Sequence, residues 1–276
     1  LNSYWEPGEL SAIKTWEQFQ SGDISIYDQM RDFPFKIATS TLSPYLAWGD
    51  ISVRSIFYSV MKNDSPATHT FTKQLIWREF AYHQLIHFPS FPTRPLRFNF
   101  ERFPWQNDAE SFERWTKGLT GYPLVDAGMR ELWETGYMHN RVRMVTASFL
   151  VKHLLVDWRK GYEWFQHTLL DFDVANNAMG WQWIAGTGID SSPYFRIFNP
   201  ITQSEKFDSS GAYIREWVPE LSNLPAPYIH RPWEAPDFML EELDIRMGIK
   251  YPLPIVEHSR ARLRALDAYN TIKGTK

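Results

Sequence analysis

Apolar residues recur at helical spacing along most of the chain, and no set of segments shows the two-residue alternation of half-buried strands. Leu10, Ile13, Trp16 and Phe19 mark one apolar face and predict a helix over 10–19, led in by Gly8. The same spacing predicts helices over 51–61, with Asp50 as N-cap, and over 70–88, where Pro89 ends it. It continues over 108–117, stopped by Gly118, and over 123–135, with proline in the first turn and Gly136 beyond. A second long helix is predicted over 139–158, ending near Gly161, then helices over 162–170, 174–183 and 258–269, with a fraying tail at 274–276. The loops at 88–105, 187–200 and 224–236 are rich in proline and aromatics; the first carries Pro89, Pro92, Pro95 and Pro104. The expected fold is all-α, a single large helical domain over residues 1–276.

With 276 residues and 43% hydrophobic side chains, the chain can bury a sizeable core. It has no cysteine, which excludes disulfides, thiolate metal sites and cysteine nucleophiles, and fits a reducing compartment. The longest apolar stretch, 148–156, is interrupted by Lys152 and His153, so no segment is expected to span a bilayer. No basic, apolar, cleavable leader opens the chain, and the first residue is Leu1, so the sequence is expected to begin inside a longer protein. The 13 tryptophans fit either a large aromatic core or a site that stacks planar ligands and moves electrons.

Several short constellations carry candidate chemistry, each with a plainer alternative. Thr39, Ser40, Thr41 and Ser43, with Leu42 between them, place hydroxyls ahead of a helix-like segment; this suits a phosphate or an ordinary capped turn. Gln74, Trp77, Arg78 and Ala81 share one helix face, suiting a base against indole and a phosphate on arginine, or a core indole beside a surface ion pair with Glu79. Asn140 and Met144 lie one turn apart, while Arg141 and Arg143 point to different sides, so one arginine can reach phosphate and the other pair inward with a carboxylate. Asp171 and Asp173 precede Asn176 and Asn177, a set able to hold a metal, to bond the imide edge of a heterocycle or simply to cap a helix. Trp181 and Trp183 sit on different faces of one helix. Two patterns are dismissed. His83 and His87 lack the glutamate of a zinc helix, and Gly186-Thr187-Gly188 lacks both the third glycine and a preceding strand.

In order, these constellations form a recognisable series. It runs Tyr27-x-x-x-Arg31-Asp32-x-Pro34, Thr39-Ser40-x-Leu42-Ser43, Trp77-Arg78-Glu79-Phe80 and Thr120-Gly121-Tyr122-Pro123-x-Val125-Asp126-Ala127. It continues Met138-His139-Asn140-Arg141-x-Arg143-Met144, Thr146-Ala147-Ser148-Phe149-Leu150, Asn176-Asn177-x-x-Gly180-Trp181-Gln182-Trp183 and Pro193-Tyr194-Phe195-Arg196-x-Phe198-Asn199-Pro200. From about Gly8 to Tyr269 the chain resembles the flavin-binding helical half of class I cyclobutane pyrimidine dimer photolyases, in the photolyase/cryptochrome family.

The resemblance implies FAD, bent into a U inside a helical domain. Tyr27, Thr39, Ser40, Thr41, Leu42, Ser43, Asp171, Phe172 and Asp173 match its flavin-contacting positions, with Phe71 as an aromatic wall. Asn177 matches the asparagine beside the flavin N5, and Arg143 the arginine paired with the first aspartate. Gln74, Trp77, Asn140, Met144 and Trp183 match the lesion pocket, and Arg31, Arg141 and Gln203 match DNA-contacting positions. Trp181, Trp158 and Trp105 match a three-tryptophan electron chain. The implied activity is light-driven repair of the flipped-out dimer, the implied partner UV-damaged DNA, and the implied state a cytosolic monomer of bacterial origin without a metal. A net charge of −3 does not oppose this, since a local basic strip suffices; Arg31, Arg78, Arg141 and Arg196 are its candidates.

The chain departs from the family pattern in places. Thr41 stands where many relatives carry arginine, and Phe71 replaces a tryptophan found in some. Gln74 stands where several dimer photolyases have glutamate and is usual in (6-4) photolyases and animal cryptochromes. Asn140 occupies the place of the (6-4) histidine, and with Met144 favours the dimer enzyme. Nothing matches the N-terminal α/β domain that binds a folate or deazaflavin antenna, so the chain is expected to be the C-terminal half of a longer enzyme. The alternatives are a cryptochrome-type blue-light receptor, a (6-4) photolyase and a light-independent binder of damaged DNA.

Overall fold

The computed structural model describes residues 4–36, 38–189, 191 and 195–273. Helix α1 (Glu9–Ser21) is followed by short turns and then α2 (Ser43–Trp48), α3 (Val53–Val60) and the long α4 (Pro66–His87). Helices α5 (Ala109–Thr116), α6 (Pro123–Thr135), α7 (Asn140–Ser148), α8 (Trp158–Thr168) and α9 (Val174–Ala185) follow. Then come α10 (Pro200–Phe207), α11 (Ala212–Trp217), α12 (Asp237–Glu242) and the last helix α13 (His258–Ile272). The described residues hold no sheet; one isolated bridge joins Met247 and Tyr251. None of the described helices is long and apolar enough to cross a membrane.

Local chemistry accounts for the boundaries. Ser65 and Thr68 form a reciprocal capping box at the start of α4, with Pro66 in its first turn. Asp108, Asp157 and Asp173 accept from backbone N–H groups at the starts of α5, α8 and α9. Gly136 ends α6 in the left-handed region, at φ 72°.

The helix predicted over 139–158 is not continuous. Residues Phe149–His153 widen into a π turn, Leu155 takes φ 52°, and Asp157 caps a fresh helix. Leu150, Val151, Leu154, Leu155 and Val156 are all buried, so apolar spacing ran through the break without marking it. The predicted 174–183 and 258–269 helices run on to Ala185 and Ile272, and α10, α11 and α12 are too short to have shown a period. Part of the Pro193 motif (Pro193 and Tyr194) and the tail at 274–276 lie outside the described residues.

Among the described residues the buried side chains form two main bodies and a smaller one made by Phe100, Phe103, Leu155, Ala265, Ala268 and Ile272. Of the main bodies, one joins Trp16, Phe19, Tyr27, Leu42, Tyr45, Ile56, Phe71 and Leu75; the larger runs from Phe91 to Tyr251 and takes in the inner faces of α6 to α9. The Thr120-Gly121 turn is tied into it by Asp126, whose buried carboxylate accepts from Thr120 N (2.7 Å), Thr120 Oγ1 (2.6 Å), Gly121 N (3.0 Å) and Tyr251 OH (2.6 Å). Gly121 is obligatory there: φ is +81°, and a Cβ would lie 2.5 Å from the Leu253 backbone. Helix α9 packs on α8, α4 and α7, and the candidate site lies among these four.

Candidate functional site

The four helices enclose a cavity of about 570 Å³, a size typical of cofactor sites. Helix α4 contributes Gln74, Trp77 and Arg78, and α7 contributes Asn140, Arg143 and Met144. The segment before α9 adds Asp171, Phe172 and Asp173; α9 adds Asn177, Trp181 and Trp183; Ser43 reaches in from the start of α2. Residues singled out in separate stretches of sequence therefore share one wall-to-wall space.

The two aspartates differ. Asp171 Oδ2 accepts from Arg143 Nη2 at 2.7 Å, and its Oδ1 is buried with no partner. Burial opposes the charge on Arg143, but Asp171 outweighs it and holds the guanidinium pKa above its ordinary value. A second bond, Arg143 Nε to Met138 O at 2.6 Å, fixes the fork. Asp173 is saturated: Oδ1 accepts from Asn176 N and Nδ2, both 2.8 Å, and Oδ2 accepts from the Tyr82 hydroxyl and pairs with Arg78 at 3.5 Å. Burial pushes the Asp173 pKa up, but these donors prevail and it lies below the usual carboxylate range. Burial and Asp173 together push the Tyr82 phenol up to about 12.

The lesion-pocket candidates line the same cavity. Asn140 Nδ2 lies 3.8 Å from Met144 Sδ, and Gln74 Oε1 accepts from Arg31 Nη2 at 3.1 Å. Trp77 is 43% exposed and meets Phe80 edge-on at 5.6 Å. Asn177 Nδ2 donates to Tyr162 O at 3.2 Å.

Other predicted residues stand behind the wall. Phe71 does not line the cavity: it is 4% exposed, its ring taken up by Trp16 (5.9 Å), Phe19 (5.1 Å) and Tyr27 (5.3 Å). Tyr27 and Leu42 are buried in that same core. Thr39, Ser40 and Thr41 are half-buried; Thr41 has φ 49° and its hydroxyl donates to Ser40 O. The Tyr137 ring lies 5.5 Å from the Arg143 guanidinium. Trp181 lines the cavity, Trp158 is fully buried beyond it, and Trp105 is half-buried.

The basic candidates are mostly tied down. Arg141 pairs with Asp32 at 2.8 Å and stacks over Phe207 at 4.3 Å. Arg31 lies 4.0 Å from Asp32, and Arg78 faces Asp173. Arg196 is exposed over Phe198. Gln203, one turn before Phe207 on α10, keeps its Oε1 buried and unpaired, as does Arg141 its Nε. Sequence reasoning missed the apolar lining of Phe165, Leu169, Met179 and Ile184, which only helical period could have signalled, and missed Tyr82 and Tyr137, which carried no signal.

Comparison with known proteins gives this arrangement a context. Residues 71–271 match the family described as the FAD binding domain of DNA photolyase. The chain belongs to that family. A curated relative, the deoxyribodipyrimidine photo-lyase of Agrobacterium fabrum, is 51% identical over 282 residues, covering 100% of this chain and 58% of its own length. A solved structure described as a bacterial class III photolyase from Agrobacterium tumefaciens superposes with TM-score 0.96 at 51% identity, covering 99% of this chain and 58% of its own. A Synechocystis cryptochrome superposes with TM-score 0.91 at 35% identity, covering 96% and 56%. This photolyase-family domain thus spans little more than half the length of these relatives. One of them carries a class III label, whereas the motifs resemble class I; what the matches share is the family.

The cavity of the photolyase-family domain suits FAD. Asp171 Oδ1 is an acceptor without a donor, and Trp181 Nε1 a donor without an acceptor, both buried. Phe165, Phe172 and Trp181 supply apolar faces for a flat heterocycle, and Arg143 and Asn177 supply donors.

Proposed function

We propose that this chain is the catalytic, FAD-binding part of an enzyme that splits cyclobutane pyrimidine dimers in DNA with light. The observation that carries the reading is the single cavity in which the matched flavin positions (Ser43, Arg143, Asp171, Asp173, Asn177) and lesion positions (Gln74, Trp77, Asn140, Met144, Trp183) meet. Bound and fully reduced, excited FAD would supply one electron to the dimer and receive one back, with no net redox change. Asp171 and Arg143 would hold the cofactor by a paired charge and one free acceptor oxygen. Asp173, saturated by Tyr82, Arg78 and Asn176, keeps the start of α9 rigid, so that Asn177 and Trp181 are presented from a fixed helix end. Trp77 and Trp183 would take the extruded bases on their ring faces, with Gln74 and Asn140 offering amides to the base edges. Arg31, Arg141 and Gln203, grouped around Asp32 and Phe207, would track the backbone of the damaged strand. Trp181, Trp158 and Trp105 would restore the reduced cofactor.

In this reading residues 1–276 form one helical domain, and a longer enzyme would add the antenna chromophore in an N-terminal domain, acting as a cytosolic monomer.

The test is repair by the FAD-loaded, reduced protein. UV-irradiated oligothymidylate is illuminated with near-UV light, and thymine absorbance is followed against a dark control. Light-dependent recovery is expected. No recovery with flavin bound and reduced would favour a (6-4) enzyme or a cryptochrome-type receptor, a reading for which the cryptochrome superposition speaks.

A further inference from the structure

We infer that Gly161 is a positioning residue for electron entry: its missing side chain is the gap in which the Trp181 indole reaches helix α8 beside Trp158. The inference rests on the proposed role of Trp181 and Trp158 as electron carriers.

A Cβ built at Gly161 would lie 2.1 Å from Trp181 Cη2 and 2.6 Å from both Cζ2 and Cζ3. Real atoms cannot approach so closely, and the obstacle is the rigid benzo ring of a buried indole, not a flexible chain end. Backbone freedom does not explain this glycine, since it sits inside α8 with no positive φ. Glycine there costs helix stability, about 1 kcal/mol relative to alanine, so the space it leaves is its contribution. Gly180, on the helix that carries Trp181, is different: a Cβ there meets nothing within 4 Å.

With FAD filling the cavity that Trp181 lines, the indole would have no second place to go. Phe165 meets its ring at 5.0 Å and 64°, and Trp115 at 6.3 Å and 68°. The equal 2.6 Å distances to Cζ2 and Cζ3 put that Cβ over the ring face at Cη2, so a side chain at 161 must push the indole along its ring normal, off the helix that carries Trp158. Trp158 stands three residues before Gly161 on α8, on the same face, where neighbouring Cβ atoms are about 5–6 Å apart. The edge of the Trp181 ring consequently lies within about 8 Å of the Trp158 Cβ. The next link is laced: Gln106 N donates to Leu155 O at 2.8 Å and Asp157 N to Asn107 Oδ1 at 2.9 Å, which holds Trp105 beside the start of α8.

The electron count is simple. With FAD bound, one electron would leave Trp181 for the photoexcited oxidised flavin, one would pass from Trp158 to Trp181, one from Trp105 to Trp158, and one from a solution thiol to Trp105. Each thiol would give its proton to water and two thiyl radicals would couple to a disulfide, so that two such passages, with one proton taken from water, would supply full reduction.

The experiment uses the FAD-loaded protein with Gly161→Ala, Trp181→Phe and the double variant. Bleaching of oxidised flavin under blue light with excess thiol gives the photoreduction rate; dithionite-reduced samples give the repair yield; thermal unfolding gives stability. Gly161→Ala is expected to slow photoreduction several-fold more than it lowers repair by dithionite-reduced protein. It is also expected to lower the melting temperature strongly beside Trp181 and only weakly beside Phe, whose ring is too short to reach the gap. Photoreduction at the parental rate in Gly161→Ala, while Trp181→Phe abolishes it, would overturn the inference alone. Parental photoreduction in Trp181→Phe would overturn the electron-carrier reading beneath it. Should Gly161→Ala not fold, the double variant must fold; a double variant equally unfolded would also overturn the inference.

Discussion

Arg143 and Asp171 close on each other through Nη2 and Oδ2 at 2.7 Å, which leaves the second oxygen of Asp171 buried without a partner. A carboxylate so arranged serves two ends: one oxygen neutralises a buried guanidinium, the other waits for a donor. Asp173, two residues on, has neither oxygen free.

Asp171→Asn should therefore damage both roles. Removing one partner of a largely buried pair leaves an uncompensated charge, worth about 3 kcal/mol at the lower end of the usual range. Thermal unfolding of the flavin-free protein should show that loss. In addition, FAD should raise the melting temperature of the parent but not of Asp171→Asn, because the bound ligand stabilises only where it binds.

Tyr82→Phe should act more mildly. It deletes one donor to Asp173 and leaves Arg78 and Asn176 in place. The expected loss is about 1 kcal/mol in chemical denaturation. An equal loss in Asp173→Ala/Tyr82→Phe relative to Asp173→Ala would show that the hydroxyl acts elsewhere.

Trp77→Ala should weaken binding to dimer-containing single strands by about 1–3 kcal/mol, the worth of one stacked base. Fluorescence anisotropy at fixed salt is the measurement. Affinity within a factor of two of the parent would remove Trp77 from the base-stacking surface.

Glu131 sets a pH dependence. Burial pushes its carboxyl up to about 7, despite the bond from the Tyr213 hydroxyl and the nearby Arg143. A raised carboxyl pKa means that the folded state holds a proton the unfolded chain has released. Its contribution is complete below the ordinary value of 4.5 and is lost as pH rises to about 7. His153, whose pKa burial lowers to about 3, acts in the opposite sense as pH falls. The stability of the parent minus that of Glu131→Gln should therefore fall between these Glu131 limits, by at most about 1.4 kcal/mol per pH unit. A flat difference curve would contradict the raised pKa.

Much of the architecture was legible because its signals are local. Asp108 fixes a helix start by satisfying nearby N–H groups, and Gly136 ends α6 by taking a left-handed conformation; these effects act within a turn. The Ser65–Thr68 box was missed, and the helix predicted over 70–88 begins at Pro66. The break at 149–157 was illegible because both sides of it are buried, so the apolar period survives a change of helix. Phe71 was read as part of a cavity wall for a related reason: sequence shows that a ring is apolar, not which rings will occupy it.

The sequence by itself determined the helical class, the ordered motifs and the chemistry each motif offers. Only the tertiary structure decided how that chemistry is shared out. Asp171 and Asp173 are the same residue two positions apart, yet α7 delivers Arg143 to the first while α4 delivers both Tyr82 and Arg78 to the second. Hydrogen-bonding capacity is a property of the side chain, but whether an oxygen is spent or free depends on which remote helices pack against it.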